Sequence, residues 1–159
     1  MNINQKYTAP SHFSTEEKSI WQVLMYNDFV AFCTQDWSII ADDFIKENFF
    51  GIDGKLSSNK MNWSLTYNSL EAYQKDWIQQ SIDFNKKTFL ENPLDVLFKT
   101  TKLSKIEIID NSALVHKEFN GTFLLKDEKP IELNWISLFV LRKVNENWKI
   151  ASFTGYLPK

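Results

Sequence analysis

The side chains of this sequence best suited to moving a proton are one histidine, a glutamate two residues beyond it, and a pair of consecutive aspartates. His116 is the only histidine inside a patterned segment, because His12 lies in the polar N-terminal stretch. An imidazole titrates near neutral pH and can serve as general acid or base. Glu118 and Asn120 follow it at the spacing that shares one face of a strand. Asp42 and Asp43 fall at the end of a short predicted helix, where two carboxylates can share a proton or polarise water. Each has a plainer reading: a lone histidine is commonly a satisfied structural residue, and acids at a helix end are commonly solvated. Asp53 sits in a glycine-rich stretch where turn chemistry accounts for it. The catalytic candidates are therefore His116, Glu118 and Asp43. Two distant histidines and the single Cys33 give no metal-ligand spacing. With no glycine-rich phosphate cradle, serine elbow or Cys–His pair either, no metal or cofactor is expected.

Binding groups are more abundant than catalytic ones. Aromatic residues make up 15% of the chain, with thirteen Phe, six Trp and five Tyr. In a small domain that many flat side chains build a bulky core or the wall of an apolar pocket. Tyr26, Trp63, Tyr73, Trp77, Trp135 and Tyr156, with Ser137 and Thr154 beside them, are the expected pocket lining. A packed core rarely needs so many indole and phenol groups, whose N–H and O–H each require a partner that a ligand can supply. The expected partner is a small apolar or aromatic molecule.

Charge narrows the partners further. The net charge is −2, acids and bases are interspersed, and Arg142 is the only arginine. Nucleic-acid binders of this size carry a basic stripe, and bidentate phosphate recognition favours arginine, so no nucleic-acid partner is expected. No apolar run approaches the roughly 20 residues of a membrane span, and the first residues lack a signal-peptide pattern. These absences predict a cytoplasmic protein with no membrane partner.

The elements that must position these groups are helices first and strands afterwards. Residues 1–13 are unpatterned and predict a loosely attached tail; 14–159 read as one domain, without a linker or internal repeat. Ser14-Thr15-Glu16-Glu17 is a capping box, and the helix it opens should reach about Thr34. From Ile20 to Cys33 that helix is apolar nearly all round, which predicts burial on several sides. Asn27 and Asp28 interrupt the apolar stretch and need partners if buried. Asp36 is placed to cap a second, shorter helix through Phe44. Phe49 to Gly54 reads as a turn because of its paired glycines, and residues 61–67 as a short strand. Ser69 caps a third helix with the stripe Leu70, Tyr73, Trp77, Ser81 and Phe84. After Pro93 the pattern changes to strands, over 99–109, 113–125, 131–144 and 147–156, joined as an antiparallel meander.

The last hairpin can be registered from its turn. A two-residue loop at Asn145-Glu146 pairs Val144 with Asn147 and Arg142 with Lys149. One face then carries Leu133, Trp135, Ser137, Phe139 and Leu141 with Trp148, Ile150, Ser152, Thr154 and Tyr156, and should meet the helices. The other carries Glu132, Asn134, Ile136, Leu138, Val140 and Arg142 with Lys149, Ala151 and Phe153. Its apolar centre inside a charged rim predicts a homodimer formed sheet to sheet. Strand 113–125 admits two registers against 131–144. An odd sum of paired numbers puts His116 and Glu118 inside; an even sum puts Ala113, Val115 and Phe119 there; a bulge gives both in turn.

Three segments resemble the nuclear transport factor 2-like superfamily in its SnoaL-like branch. They are the long helix with Tyr26, Asp36-Trp37, Ile40 and Phe44, the strand opening Asp110-Asn111-Ser112-Ala113-Leu114-Val115, and the ending Arg142-Lys143-Val144-Asn145-Glu146-Asn147-Trp148-Lys149-Ile150. The resemblance implies an α+β, cone-shaped (cystatin-like) fold, with N-terminal helices packed on a curved antiparallel sheet around a deep pocket, and commonly a dimer. It implies no single activity, since relatives include isomerases, dehydratases, hydrolases and binders. Expected function is therefore small-molecule binding, extended to lyase or isomerase chemistry by general acid–base transfer if a pocket group moves a proton. The alternative is a non-catalytic dimeric interaction module.

Overall fold

A computed structural model describes residues 6–159. The capping box forms as read: Glu17 N–H donates to Ser14 Oγ at 3.1 Å, and Ser14 N–H to Glu17 Oε2 at 2.8 Å. It opens α1 (Thr15–Trp21), which passes through a π-helical segment (Gln22–Asn27) into α2 (Asp28–Thr34) without leaving helical backbone. Gln35 ends this rod in a left-handed conformation. Asp36 acts as a cap, its carboxylate accepting from Ser38 N–H, but two 3₁₀ turns, Trp37–Ile39 and Ala41–Asp43, stand in place of the expected second helix. Phe44 is already extended and bridges to Ile150, with Ile45 N–H bonded to the Ile150 carbonyl at 2.9 Å. Pairing with the sheet has overridden helix propagation there.

The expected turn at 49–54 is instead a strand, β1 (Phe50–Asp53), which runs parallel to the last strand of the chain. Gly51 is present for room: a Cβ there would meet the Phe153 ring at 2.7 Å and the Tyr67 ring at 2.8 Å. A 3₁₀ turn (Lys60–Asn62) leads to β2 (Ser64–Tyr67), and α3 (Leu70–Asn85) is capped by Ser69 as read. Ser81 Oγ and Asn85 Nδ2 both donate to the Phe32 carbonyl, at 2.7 and 2.9 Å, and lock α3 onto α2. Pro93–Thr100, where the sequence pattern predicts a change to strands with the first from residue 99, is a helix, α4, whose cap is Asn92. Proline at the first helical position is pre-organised for that role, which the extended reading overlooked.

Four strands complete the sheet: β3 (Thr101–Ile109), β4 (Ser112–Phe123), β5 (Ile131–Val144) and β6 (Asn147–Leu157). The order is β2-β1-β6-β5-β4-β3, and the β1–β6 pair makes the sheet mixed, not purely antiparallel. Positive φ at Asn145 and Glu146 gives the two-residue hairpin turn, and Val144 faces Asn147 as its geometry requires. Strands β4 and β5 pair without a bulge, Ala113 with Leu141 and Phe119 with Trp135. This even register turns Ala113, Val115 and Phe119 inward and His116 and Glu118 outward.

Strand β6 departs from simple alternation. One irregularity near Ala151 pairs Phe139 with Phe153, so Phe153 turns inward, while Ser152 and Thr154 pair with Val140 and Leu138 on the outer face. A second lies between the pairs Leu138–Thr154 and Ile136–Leu157, where Tyr156 adopts a φ of 55° and returns to the inside. The helices cover the inner face. At the hairpin end Glu16 accepts from Lys143 Nζ at 2.6 Å and from the Trp148 indole N–H. The stretch read as a loose tail is attached from residue 6 onward: Tyr7 stacks on Phe98 of α4 at 4.1 Å, and Lys6 pairs with Asp95 at 2.7 Å. Residues 1–5 lie outside the described residues. Among the described residues no helix is long and apolar enough to cross a membrane.

Helix α4 seats on β4 because Gly121 has no side chain: a Cβ there would lie 2.1 Å from Thr100 Cγ2 and 2.5 Å from its Cβ. Gly121→Ala is expected to destabilise the protein by about 1–3 kcal/mol through overpacking. Chemical denaturation should register the loss, and Thr100→Gly in the same chain should recover much of it.

Candidate functional site

Between the helices and the inner face of the sheet lies a cavity of about 470 Å³. Its wall is aromatic: Phe29 and Phe32 from α2, Tyr73 and Trp77 from α3, Phe119 and Trp135 from the sheet, and Phe153 and Tyr156 beyond the two irregularities of β6. The rings pack edge to face or tilted, Tyr73 against Phe153 at 5.0 Å and Phe32 against Trp77 at 5.5 Å; Phe119 stacks on Trp135 at 4.6 Å. A second cavity of about 30 Å³, large enough for one water, adjoins it and shares Asp28, Tyr73, Lys117 and Phe139.

Among the described residues the one buried cation is Lys117, paired in register with Ser137 and only 1% exposed. Its Nζ donates to Asp28 Oδ2 at 2.9 Å and to the carbonyl of Leu24. That carbonyl belongs to the π-helical segment, where the regular i to i−4 ladder is interrupted and a carbonyl is open to another donor. The ammonium also lies 4.5 Å from the ring centre of Phe29, 5.4 Å from Phe119 and 5.9 Å from Phe139. Removing an ammonium from water costs several kcal/mol. Here a carboxylate, a carbonyl and three ring faces offset that cost together, the cation–π share being about 2 kcal/mol when desolvated.

The remaining polar groups are phenols and acids. Burial, then the hydrogen bond to Asp76, pushes the Tyr67 hydroxyl well above its ordinary value; Asp76 also accepts from Gln80 Nε2 at 2.7 Å. Burial, reinforced by Asp28, raises Tyr73 strongly, and burial followed by Asp53 and Asp76 raises Tyr156. All three phenols therefore stay protonated and neutral. No hydrogen bond joins the hydroxyl of Tyr73 or Tyr156 to another described residue. Cys33 is pushed up to about 12 by burial and then by Asp28, which keeps it a thiol. Asp43 lines the smaller cavity and accepts from Asn27 Nδ2 at 2.9 Å. Burial raises its carboxyl, opposed by the Asn27 hydrogen bond and the charge of Lys149. Among the described residues no three His, Cys, Asp or Glu side chains gather into a metal-holding group.

Of the residues picked from sequence, Tyr73, Trp77, Trp135, Ser137 and Tyr156 line the larger cavity and Asp43 the smaller. The others sit elsewhere. His116 pairs with Leu138 and Lys105 on the outer face, and Glu118 forms ion pairs there with Lys159 at 3.2 Å and Lys102 at 3.9 Å. The even register puts both outside the cavity. Tyr26 packs beside Trp21 and Phe98, the Trp63 indole donates to the Ser57 carbonyl, and Thr154 is turned out by the irregularity near Ala151. Sequence reasoning missed Lys117, Tyr67 and Phe153, and put Phe139 on the inner face without naming it for the pocket. For the Lys117 partner the signal existed: Asn27 and Asp28 are polar interruptions of an apolar helix, and their partners are Asp43 and Lys117.

No family profile and no curated protein matches the sequence. Solved structures do. A conserved protein from Planctomyces limnophilus superposes with a TM-score of 0.59 at 11% identity, over 89% of this chain and 94% of its own. A domain of unknown function with a cystatin-like fold from Nostoc punctiforme gives 0.58 at 15% identity, over 90% and 78%. An NTF2-like protein of unknown function from Methylobacillus flagellatus gives 0.52 at 17%, over 91% and 94%. The chain has the nuclear transport factor 2-like, cystatin-like fold.

The raised carboxyl of Asp43 sets a pH dependence. The folded chain holds this proton to higher pH than the unfolded chain, whose value is near 3.8, so the group's contribution to stability falls as pH rises through that window and then levels off. Asp43→Asn cannot ionise. Its stability relative to the parent should therefore climb between about pH 4 and pH 7, read as the difference between two series of melting temperatures. A constant difference across that range would contradict the assignment.

Proposed function

We propose that the protein binds a small, apolar, ring-containing molecule in the 470 Å³ cavity, as a SnoaL-like member of its fold class. The observation that carries this reading is an open volume of ligand size walled by aromatic rings, with a few polar groups turned into it. A chain whose cavity were vestigial would fill that space with its own Trp and Phe side chains, so the open volume favours binding over a pure interaction module. Proton-transfer chemistry of lyase or isomerase type is a second reading. It is favoured by Asp28 and Asp43 meeting Tyr73 and Lys117 around a water-sized space.

Ligand screening by thermal shift tests the first reading. A ring compound present at a hundred times its dissociation constant should stabilise the protein by about 2.7 kcal/mol, which is several degrees for a chain of this size. It should also quench tryptophan fluorescence through Trp77 and Trp135. Silence across mono-, bi- and polycyclic compounds would end the proposal.

A homodimer through the outer sheet face is proposed alongside. Leu114, Ile136, Leu138 and Val140 form its apolar strip, with Leu114 and Leu138 exposed, and His116, Glu118, Glu132 and Arg142 around them. Sedimentation at micromolar concentration should give twice the chain mass, and Leu138→Glu should return the monomer. A parent protein that sediments as a monomer removes this interface.

A further inference from the structure

The rings around Tyr67 and Tyr156 are half-buried or exposed and do not lie parallel. Tyr67 meets Tyr73 at 71° with ring centres 5.2 Å apart, Tyr73 meets Phe153 at 57° and 5.0 Å, and Trp135 meets Tyr156 at 42° and 5.0 Å. All of them line the larger cavity, so rings of different orientation border one space. Aromatic cages of this kind hold ammonium groups, because ring faces carry negative potential. The charge behind the rings has the matching sign. The Tyr67 hydroxyl donates to Asp76, which also accepts from Gln80 Nε2 at 2.7 Å, and Asp53 accepts from Lys55 N–H at 2.8 Å. Among the described residues neither carboxylate is paired with a cation. The other charges of the wall are paired: Lys117 with Asp28 at 2.9 Å, Lys87 with Glu128 at 3.4 Å and Asp83 with Lys86 at 3.4 Å. We infer that the cavity selects ring compounds bearing a tertiary or quaternary ammonium group, held against Tyr67, Trp135 and Tyr156 with Asp53 and Asp76 behind them. This rests on the ligand-binding proposal and names the ligand class of that same site.

Three further observations agree with a cation. A phenol that donates to a carboxylate is polarised by it, so the Tyr67 ring gains electron density from Asp76. Burial, followed by the negative charges of Asp53 and Asp76, holds the Tyr156 hydroxyl above its ordinary value, and the same field favours a cation beside that ring. The interior already keeps one desolvated ammonium in this manner, since Lys117 lies 4.5 Å from the ring centre of Phe29 with Asp28 beside it. That pair is neutral as a unit and repels a second ammonium little. An anionic ligand would bring its charge toward Asp53 and Asp76, and a hydrocarbon would draw nothing from their field.

The test uses two probes of one shape, phenyltrimethylammonium and tert-butylbenzene, in which carbon replaces the charged nitrogen. Titrated into the full chain, the ammonium compound should bind at least about fivefold more tightly than the hydrocarbon. Its N-methyl proton signal should move upfield on binding, and nuclear Overhauser contacts should join it to the rings of Tyr67, Trp135 and Tyr156. In the double variant Asp53→Asn, Asp76→Asn the preference should fall below about twofold while tert-butylbenzene binds as before. If that variant does not fold, a salt series on the parent protein serves the same comparison. Raising ionic strength from about 0.05 M to about 0.5 M should weaken the ammonium compound and leave the hydrocarbon no weaker. Equal or weaker binding of the ammonium compound, N-methyl contacts confined to other rings, or a preference indifferent to both the acids and salt overturns this inference alone. Binding of neither probe overturns it together with the proposal on which it rests.

Discussion

Lys117 is an ammonium ion held inside an otherwise apolar interior, and the elements around it are arranged to make that tolerable. Its carboxylate partner is the first residue of α2, its carbonyl partner comes from the irregular turn between α1 and α2, and the three rings beneath it come from α2, β4 and β5. Withdraw any one and a charge is left short of compensation in a medium that screens poorly. The helical rod and the sheet are thereby tied at the middle of their contact, with the Glu16–Lys143–Trp148 cluster tying them again at the hairpin end. What these ties leave open is the cavity, bounded by rings that face one another without filling the space between.

The same arrangement separates two kinds of work. Aromatic side chains supply shape and non-directional attraction, which hold many ring systems about equally well. The polar groups lie in two places, Asp28 and Lys117 beside the smaller cavity and Gln80, Asp83 and Lys87 along and just after α3. Phenols kept neutral by burial belong with the walls in charge and with the polar groups in their capacity to donate.

Much of the architecture is legible because it is written in local signals. Ser14 and Glu17, Ser69, and the Asn145-Glu146 turn are short-range features whose geometry follows from neighbouring residues, and each forms as read. Strand β1 and helix α4 are not legible: Gly51 looks like a turn residue until Phe153 and Tyr67 are seen to need its missing side chain. The site is half legible for a related reason. Alternation assigns faces only while a strand stays regular, and β6 is irregular twice, so the inward residues Ile150, Phe153 and Tyr156 recur every third position instead of every second. By alternation Phe153 points outward and Thr154 inward, the reverse of their true directions. Lys117 is hidden by its chemistry: the register that turns Val115 and Phe119 inward turns Lys117 inward too, yet a lysine between them reads as solvent-facing until Asp28 is recognised as its counterpart.

The π-helical segment carries one more consequence. It winds the rod more loosely over Gln22–Asn27, so the residues before and after it are out of step by roughly one position, or about 100° of rotation. Trp21 and Phe29 still share Phe98 of α4 as a neighbour, while Asp28 turns to Lys117 and Phe32 to Trp77 of α3. The rod is effectively two helices with a fixed phase difference. That offset aims the carboxylate of Asp28 at an interior lysine, and gives an otherwise greasy chamber its polar bearing.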